Sequence, residues 1–175
     1  MASVLIVYST IDGHTRKICE RLRQSISAAG HQVTLTPIEA ARAAILPAFD
    51  KIVVGASIRY GKHRPLVHAF VDANAALLDS KPNAFFSVNI VARKVEKNQP
   101  DTNPYVRKFL AQVRWKPKAL EVFAGKLDYP RYRFLDRLMI RFIMWVTDGP
   151  TDPAAVVEFT DWQRVDAFAQ RVATM

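Results

Sequence analysis

Val4-Leu5-Ile6-Val7-Tyr8 runs into Ser9-Thr10-Ile11-Asp12-Gly13-His14-Thr15 and then, without a break, into Lys17-Ile18-Cys19-Glu20-Arg21-Leu22. The first block is apolar, β-branched and aromatic, the pattern of a central parallel strand covered on both faces. In the last block the apolar residues share one helical face. A strand that passes through a hydroxyl-rich turn straight into a helix presents unpaired backbone N–H groups at the helix start. Those groups, with the positive end of the helix dipole, favour a phosphate, and hydroxyls of Ser9, Thr10 and Thr15 can complete its coordination. Gly13 leaves room for close backbone approach or for φ > 0. Neither G-x-G-x-x-G nor Gly-Lys-Ser/Thr is present, which leaves a monophosphate held by hydroxyls and amides. The competing account of the same residues is an ordinary helix cap, with Asp12 or Thr10 satisfying the first turn.

Further strands are expected at Gln32–Thr36, Lys51–Ser57, Ala84–Val91 and Leu120–Gly125. Helices are expected over about 13–29, 39–46 (closed by Pro47), 66–78, 105–113 and 162–174, with loops at 58–65 and 92–104. Strands alternating with helices at this spacing imply right-handed crossovers and an α/β three-layer sandwich, with a five-stranded parallel sheet in the order 2-1-3-4-5. The ligand then lies at the carboxyl ends of the first and third strands, where the loops after strands one, three and four converge. Tyr60 in the second of those loops can stack on a flat ring, and backbone amides of Ser57-Ile58-Arg59-Tyr60-Gly61 and Val88-Asn89-Ile90-Val91-Ala92-Arg93 can flank it. A phosphate joined to a planar redox ring is flavin mononucleotide, FMN.

The 175 residues, half of them hydrophobic, suit one domain spanning 1–175. No secretory signal is expected, and the lone Cys19 fits a reducing cytoplasm and a buried apolar role. Net charge is +9, concentrated after residue 90, which suggests an acidic partner. His14, His31 and His68 lack metal-ligand spacing, so no metal is expected. His63 is either a proton acceptor near the ring or a surface histidine with no role. Trp115 and Trp162 are expected as packing anchors.

The turn, the block Val54-Gly55-Ala56-Ser57-Ile58-Arg59-Tyr60-Gly61-Lys62-His63, and the run Phe85-Phe86-Ser87-Val88-Asn89-Ile90-Val91-Ala92-Arg93-Lys94 together resemble the flavodoxin fold. More narrowly they resemble the bacterial flavodoxin-like, quinone-linked protoporphyrinogen IX dehydrogenases. The resemblance continues through Thr102-Asn103-Pro104-Tyr105, Tyr129-Pro130-Arg131-Tyr132-Arg133 and Phe159-Thr160-Asp161-Trp162, so it covers nearly the whole chain. It implies oxidation of protoporphyrinogen IX to protoporphyrin IX in haem synthesis, with FMN as carrier and menaquinone or ubiquinone as acceptor. It also implies that residues 9–15, 57–61 and 88–93 bind the cofactor. Generic flavodoxins carry Thr at the position of Asp12 and often Trp at that of Tyr60. A carboxylate beside a phosphate is unfavourable, so Asp12 is expected to cap the helix. Arg59, Arg93, Lys94, Lys97, Arg131 and Arg133 are candidates to contact the substrate's propionates, or are solvated charges.

Residues 126–150 are expected as an insertion at the fifth strand. Within it Arg133, Arg137 and Arg141 recur every fourth residue, opposite Leu138, Met139, Phe142, Ile143 and Trp145. Its apolar run is roughly 20 Å as a helix, too short for a bilayer core of roughly 30 Å. It suits the surface of an anionic membrane, and a helix packed on its own domain or on a partner subunit is the alternative. The expected location is cytoplasmic, peripheral to the inner face of the cell membrane. Rival functions are a one-electron flavodoxin carrier, a soluble NAD(P)H:quinone reductase, and a nucleic-acid binder. High positive charge disfavours the carrier, and basic residues without interleaved stacking aromatics disfavour the last.

Overall fold

The computed structural model of the chain describes all of residues 1–175. In chain order its elements are β1 (Ser3–Ser9), α1 (His14–Ala28), β2 (Gln32–Pro37), β3 (Lys51–Arg59), β4 (Lys62–His63), α2 (Pro65–Ala73), α3 (Ala75–Ser80) and β5 (Asn83–Asn89). There follow α4 (Pro104–Gln112), β6 (Ala119–Ala124), β7 (Lys126–Asp128), α5 (Phe134–Val146), β8 (Val156–Glu158) and α6 (Trp162–Thr174). The five long strands pair in the order β2-β1-β3-β5-β6, every neighbour parallel, which is the expected topology.

Alternation along β1 sorts the core into two halves. Val4, Ile6 and Tyr8 face α1 and α6, where Ile18, Leu22, Ile26, Val165, Phe168 and Val172 cover them. Leu5 and Val7 face the opposite layer, packed with Val67, Val71, Leu78, Phe85, Phe109 and Trp115. Full burial of such side chains contributes about 1.5–3 kcal/mol each, which outweighs any local propensity in so short a strand. Cys19 is wholly buried in the first half, and burial pushes its thiol pKa up, leaving it inert. The sheet is closed by α6, capped at its start by Asp161, which accepts from the N–H groups of Gln163 and Arg164. At its other end Lys51 Nζ donates to the carbonyls of Val172 (3.1 Å) and Ala173 (2.7 Å), a cation on the negative end of the helix.

Four expectations need correction. The helix expected over 39–46 is a turn followed by a 3-10 segment, Ala43–Ala48, that contains Pro47, whose missing N–H and fixed ring bar a regular α-helix in so short a run. The helix over 66–78 breaks at Asn74, whose side-chain amide donates to Phe70 O at 2.7 Å in competition with the helical ladder. The 58–65 loop is largely a hairpin, β4 pairing antiparallel with the end of β3. The fourth long strand stops at Asn89, and two 3-10 turns, Ile90–Arg93 and Val95–Lys97, organise the end of the expected strand and the start of the expected loop. No helix is long and apolar enough to cross a membrane.

Gly55, in mid-strand on β3, is required by close packing. A Cβ there would lie 2.1 Å from Cζ of Phe86 on the neighbouring strand. Gly55→Ala is expected to destabilise the fold by about 1–3 kcal/mol through this overlap, read as a lowered midpoint in urea unfolding with little change in slope.

Candidate functional site

At the carboxyl end of β1 the chain turns through Gly13, at φ +85°, directly into α1. No side chain caps this helix. Thr10 closes the turn instead, its Oγ1 accepting from Gly13 N at 3.0 Å, while the Asp12 carboxylate turns aside to Arg59, 3.0 Å away. Asp12 is therefore not the expected cap. Thr15 is 1% exposed and its hydroxyl has no partner. An uncapped helix start beside an orphaned buried hydroxyl is costly by itself and is suited to an incoming anion. His14 lies alongside, half-buried, its Nε2 2.6 Å from Thr160 Oγ1, and burial lowers its pKa.

The second loop is a tight turn in the β3–β4 hairpin. Ile58 pairs with His63 and Arg59 with Lys62, leaving Tyr60 and Gly61 between them at φ +50° and +73°. Both central residues at positive φ match the twist of a two-residue hairpin, easy for Gly61 and strained for Tyr60. A carboxylate on α5 holds the strained residue: the Tyr60 hydroxyl donates to Asp136 Oδ1, and Arg59 donates to Asp136 Oδ2 at 2.7 Å. The Tyr60 hydroxyl, and then the Arg59 guanidinium, hold the Asp136 carboxyl below the usual carboxylate range. Arg59 thus bridges the first loop, its own hairpin and α5.

Beneath the hairpin a buried polar chain links the second and third loops. His63 Nε2 lies 2.9 Å from Ser87 Oγ, Asn89 Nδ2 donates to Ser87 Oγ (3.3 Å), and the side chains of Asn89 and Asn103 bond each other reciprocally. Asn89 also accepts from Ala92 N, and Asn103 caps α4. His63 is therefore neither a surface histidine nor near solvent: it is 3% exposed, edge-on to Phe85 and Phe109.

Thr10, Asp12, His14, Thr15, residues 57–61 and residues 88–91 line one cavity of about 470 Å³, within the usual range for small-molecule sites. Of the expected cofactor residues, Ser9, Ile11, Gly13, Ala92 and Arg93 do not line it. Ser9 is buried at the strand end and contacted by Arg64, Ile11 points to solvent, and Gly13 faces a smaller polar pocket beside it. Ala92 is packed with Val106 and Val122. Arg93 donates to Thr147 O (2.8 Å) and Thr147 Oγ1 (2.9 Å), pinning the end of α5.

Missing from the expected list are Tyr105, Leu127, Tyr132 and four side chains of α5: Met139, Ile140, Ile143 and Met144. Asp136 was missed as well, although it is the single acid in the run Phe134–Val146, a signal that it has a specific cation to meet. The arginines of that helix face inward: half-buried Arg137 donates to Tyr132 O (3.4 Å) and half-buried Arg141 to Thr151 O (2.9 Å). Of its apolar residues, Ile140 and Met144 pack inward with Leu127, Tyr129 and Tyr132, whereas Phe134, Leu135, Leu138, Phe142 and Trp145 face outward, Leu135 75% and Trp145 70% exposed. Among the candidate substrate cations, Arg59 and Arg93 are bonded within the chain, whereas Lys94, Lys97, Arg131 and Arg133 have no side-chain partner. Arg131 lines the polar pocket, about 230 Å³ in volume.

A doubly covered parallel sheet, an uncapped helix start with an orphaned hydroxyl, and a mostly apolar cavity at the same edge define a flavin-binding protein of the flavodoxin class. Residues 5–154 match the flavodoxin domain family. The chain is 44% identical over 169 residues to the protoporphyrinogen IX dehydrogenase (quinone) of Escherichia coli strain K12, covering 97% of this chain and 93% of that protein. It is 42% identical over 172 residues to a protein of the same name from Leishmania major, covering 98% of this chain and 74% of that one. Flavodoxin 2 from Bacillus cereus shares the fold, with a TM-score of 0.58 at 19% identity over 99% of both chains. The chain belongs to the flavodoxin-domain family of quinone-linked protoporphyrinogen IX dehydrogenases.

Burial pushes the His63 imidazole down to about 3 from its ordinary 6.5. Between those values the unfolded chain holds a proton that the folded chain refuses, so stability falls as pH is lowered from 6.5 toward 3, by about 1.4 kcal/mol per pH unit for this one group. His63→Gln is expected to flatten the pH dependence by that slope in unfolding titrations over this interval, whatever its effect at neutral pH.

Proposed function

We propose that the chain oxidises protoporphyrinogen IX to protoporphyrin IX, with FMN as its flavin and a lipid quinone as acceptor, in haem synthesis. The observation that carries this reading is the unsatisfied Thr15 hydroxyl at an uncapped helix start, opening onto an apolar cavity, in a chain 44% identical to a relative named for that reaction. The reaction balances with three quinones: the substrate loses six electrons and six protons, and three quinols form.

Amides of residues 14 and 15 with the hydroxyls of Thr10 and Thr15 would hold the phosphate. Tyr60 and the backbone of residues 88–91 would flank the ring. When bound, FMN supplies hydride acceptance and passes the electrons onward. The chain's own work is positioning. The Asp136 carboxylate fixes Arg59 and Tyr60, the His63–Ser87–Asn89–Asn103 chain fixes the two ring-side loops against each other, and the cavity-lining residues of α5 give the site an apolar wall. Unpaired Arg131 and Arg133, at the start of α5, together with Lys94, are the cations free to pair with propionates.

A peripheral membrane location is supported by the orientation of α5. Phe134, Leu135, Leu138, Phe142, Trp145 and Val146 form one exposed apolar face, larger than a soluble surface normally tolerates. Arg131 and Arg133 border it in a chain of net charge +9, which matches an anionic bilayer.

Anaerobic mixing of FMN-loaded protein with protoporphyrinogen IX is expected to bleach the flavin absorbance, and a short-tailed quinone is expected to restore it. Bleaching by NADH but not by protoporphyrinogen would instead identify a soluble quinone reductase. Separately, Phe142→Glu with Trp145→Glu is expected to weaken binding to phosphatidylglycerol-containing vesicles by about tenfold or more, since either residue can contribute about 1.5–3 kcal/mol when buried. Sedimentation with vesicles measures this, and unchanged binding would remove α5 from the membrane contact.

A further inference from the structure

The cavity has two chemically different ends. At one lie the helix start and the hydroxyls of Thr10 and Thr15; another part of the wall is Met139, Ile140, Ile143 and Met144 of α5. Met139 and Ile143 are also 41% and 44% exposed, so they line the cavity and reach its outside at once, forming a mouth. Leu135, Met139, Phe142 and Val146 follow at helical spacing along the same exposed face. The mouth opens on the surface that carries the outward apolar side of α5.

This mouth holds no free charge. Arg137 and Arg141 turn to backbone carbonyls, Arg59 is held by Asp12 and Asp136, and Lys126, which lines the cavity, is paired with Asp128 at 3.0 Å. The cavity behind it does hold an unspent donor. Tyr105, half-buried at the start of α4, lines the cavity, and its hydroxyl has no partner within the chain. Its ring lies against the hairpin turn, since a Cβ on Gly61 would stand 3.9 Å from Tyr105 Cε1. Gly61 follows Tyr60, which is bonded to Asp136, one turn of α5 before Met139 and Ile140. Donor and apolar mouth thus belong to one cavity, with the hairpin turn as their common neighbour.

We propose that this mouth is the binding site of the acceptor: the uncharged quinone head lies among Tyr105, Met139 and Ile143, one carbonyl oxygen accepting from the Tyr105 hydroxyl, with its hydrocarbon tail along Leu135 and Phe142. The inference rests on the reading that the acceptor is a lipid quinone, and adds where it binds. A dianionic tetrapyrrole does not suit a mouth without free cations, whereas a neutral ring with a hydrocarbon tail does. The unpaired arginines, at the start of α5, leave the propionates a separate place.

The test is calorimetric titration of the FMN-loaded protein, without lipid, using ubiquinone with a single isoprene unit. Tyr105→Phe is expected to raise its Kd about fivefold to tenfold, the loss of one neutral hydrogen bond, and Ile143→Glu by more than tenfold. Both positions are partly exposed, so both variants are expected to fold, checked by thermal melting and retained flavin absorbance. Wild-type quinone Kd in both variants would overturn the site. So would weakened binding of protoporphyrin IX with quinone affinity unchanged, which would give the mouth to the macrocycle. Failure of protoporphyrinogen to reduce the flavin would remove the functional reading, while the titration would still decide whether a quinone binds here.

Discussion

A parallel sheet covered on both faces has one place for chemistry, the edge where its strands end and loops begin. Here that constraint governs everything that follows. Strands β1, β3 and β5 are buried on both sides by two separate core clusters, so their register is fixed by packing and the loops leaving them start from fixed points. The loops can then carry features that weaken an isolated segment: an uncapped helix, a tyrosine at positive φ and an unpartnered hydroxyl. Their cost is tolerable because the sheet beneath them is over-determined.

What the sheet leaves loose, Asp136 ties together. One carboxylate meets both Arg59 and Tyr60 from a helix 77 and 76 residues further along the chain. Arg59 carries the tie on to Asp12 in the first loop, and Arg93 secures the far end of the same helix by donating to Thr147, its C-cap residue. The helix is therefore fastened at both ends over the cavity, and its apolar inner residues become a wall. In a plain electron carrier the ring must meet a protein partner; a fastened apolar wall instead suits small hydrophobic substrates, consistent with the names of the relatives.

Local patterns were legible in the sequence wherever a periodicity had only one physical solution. The solid apolar block at Val4–Tyr8, the turn after it and the amphipathic helix at Trp162–Thr174 are all found where expected. Long-range pairings were not legible. Asp12 as a helix cap was a sound local inference, and Arg59 overrides it from 47 residues away. His63 sits in a polar stretch that gives no hint of burial, and only the antiparallel pairing of β4 carries it under Phe85 and Phe109. The hairpin itself left a trace in Tyr60-Gly61, two residues between short extended segments, of which only the glycine is a usual turn former.

The orientation of α5 shows the deeper limit of pattern reading. A helical wheel separates Arg133, Arg137 and Arg141 from the apolar residues, but it does not say which side faces the protein. Habit would bury the apolar side. Here only Ile140 and Met144 pack inward, and beside them Arg137 and Arg141 reach the carbonyls of Tyr132 and Thr151. The Arg141 bond, at 2.9 Å, is the firmer of the two, the Arg137 bond being long at 3.4 Å, and both side chains are half-buried along the way. Facing the arginines inward leaves Leu135, Phe142 and Trp145 toward water, an arrangement unfavourable for a protein that meets only water. The exposure becomes favourable only where a hydrophobic surface lies opposite, and the inward hydrogen bonds that orient the helix fix which of its apolar residues are left facing out.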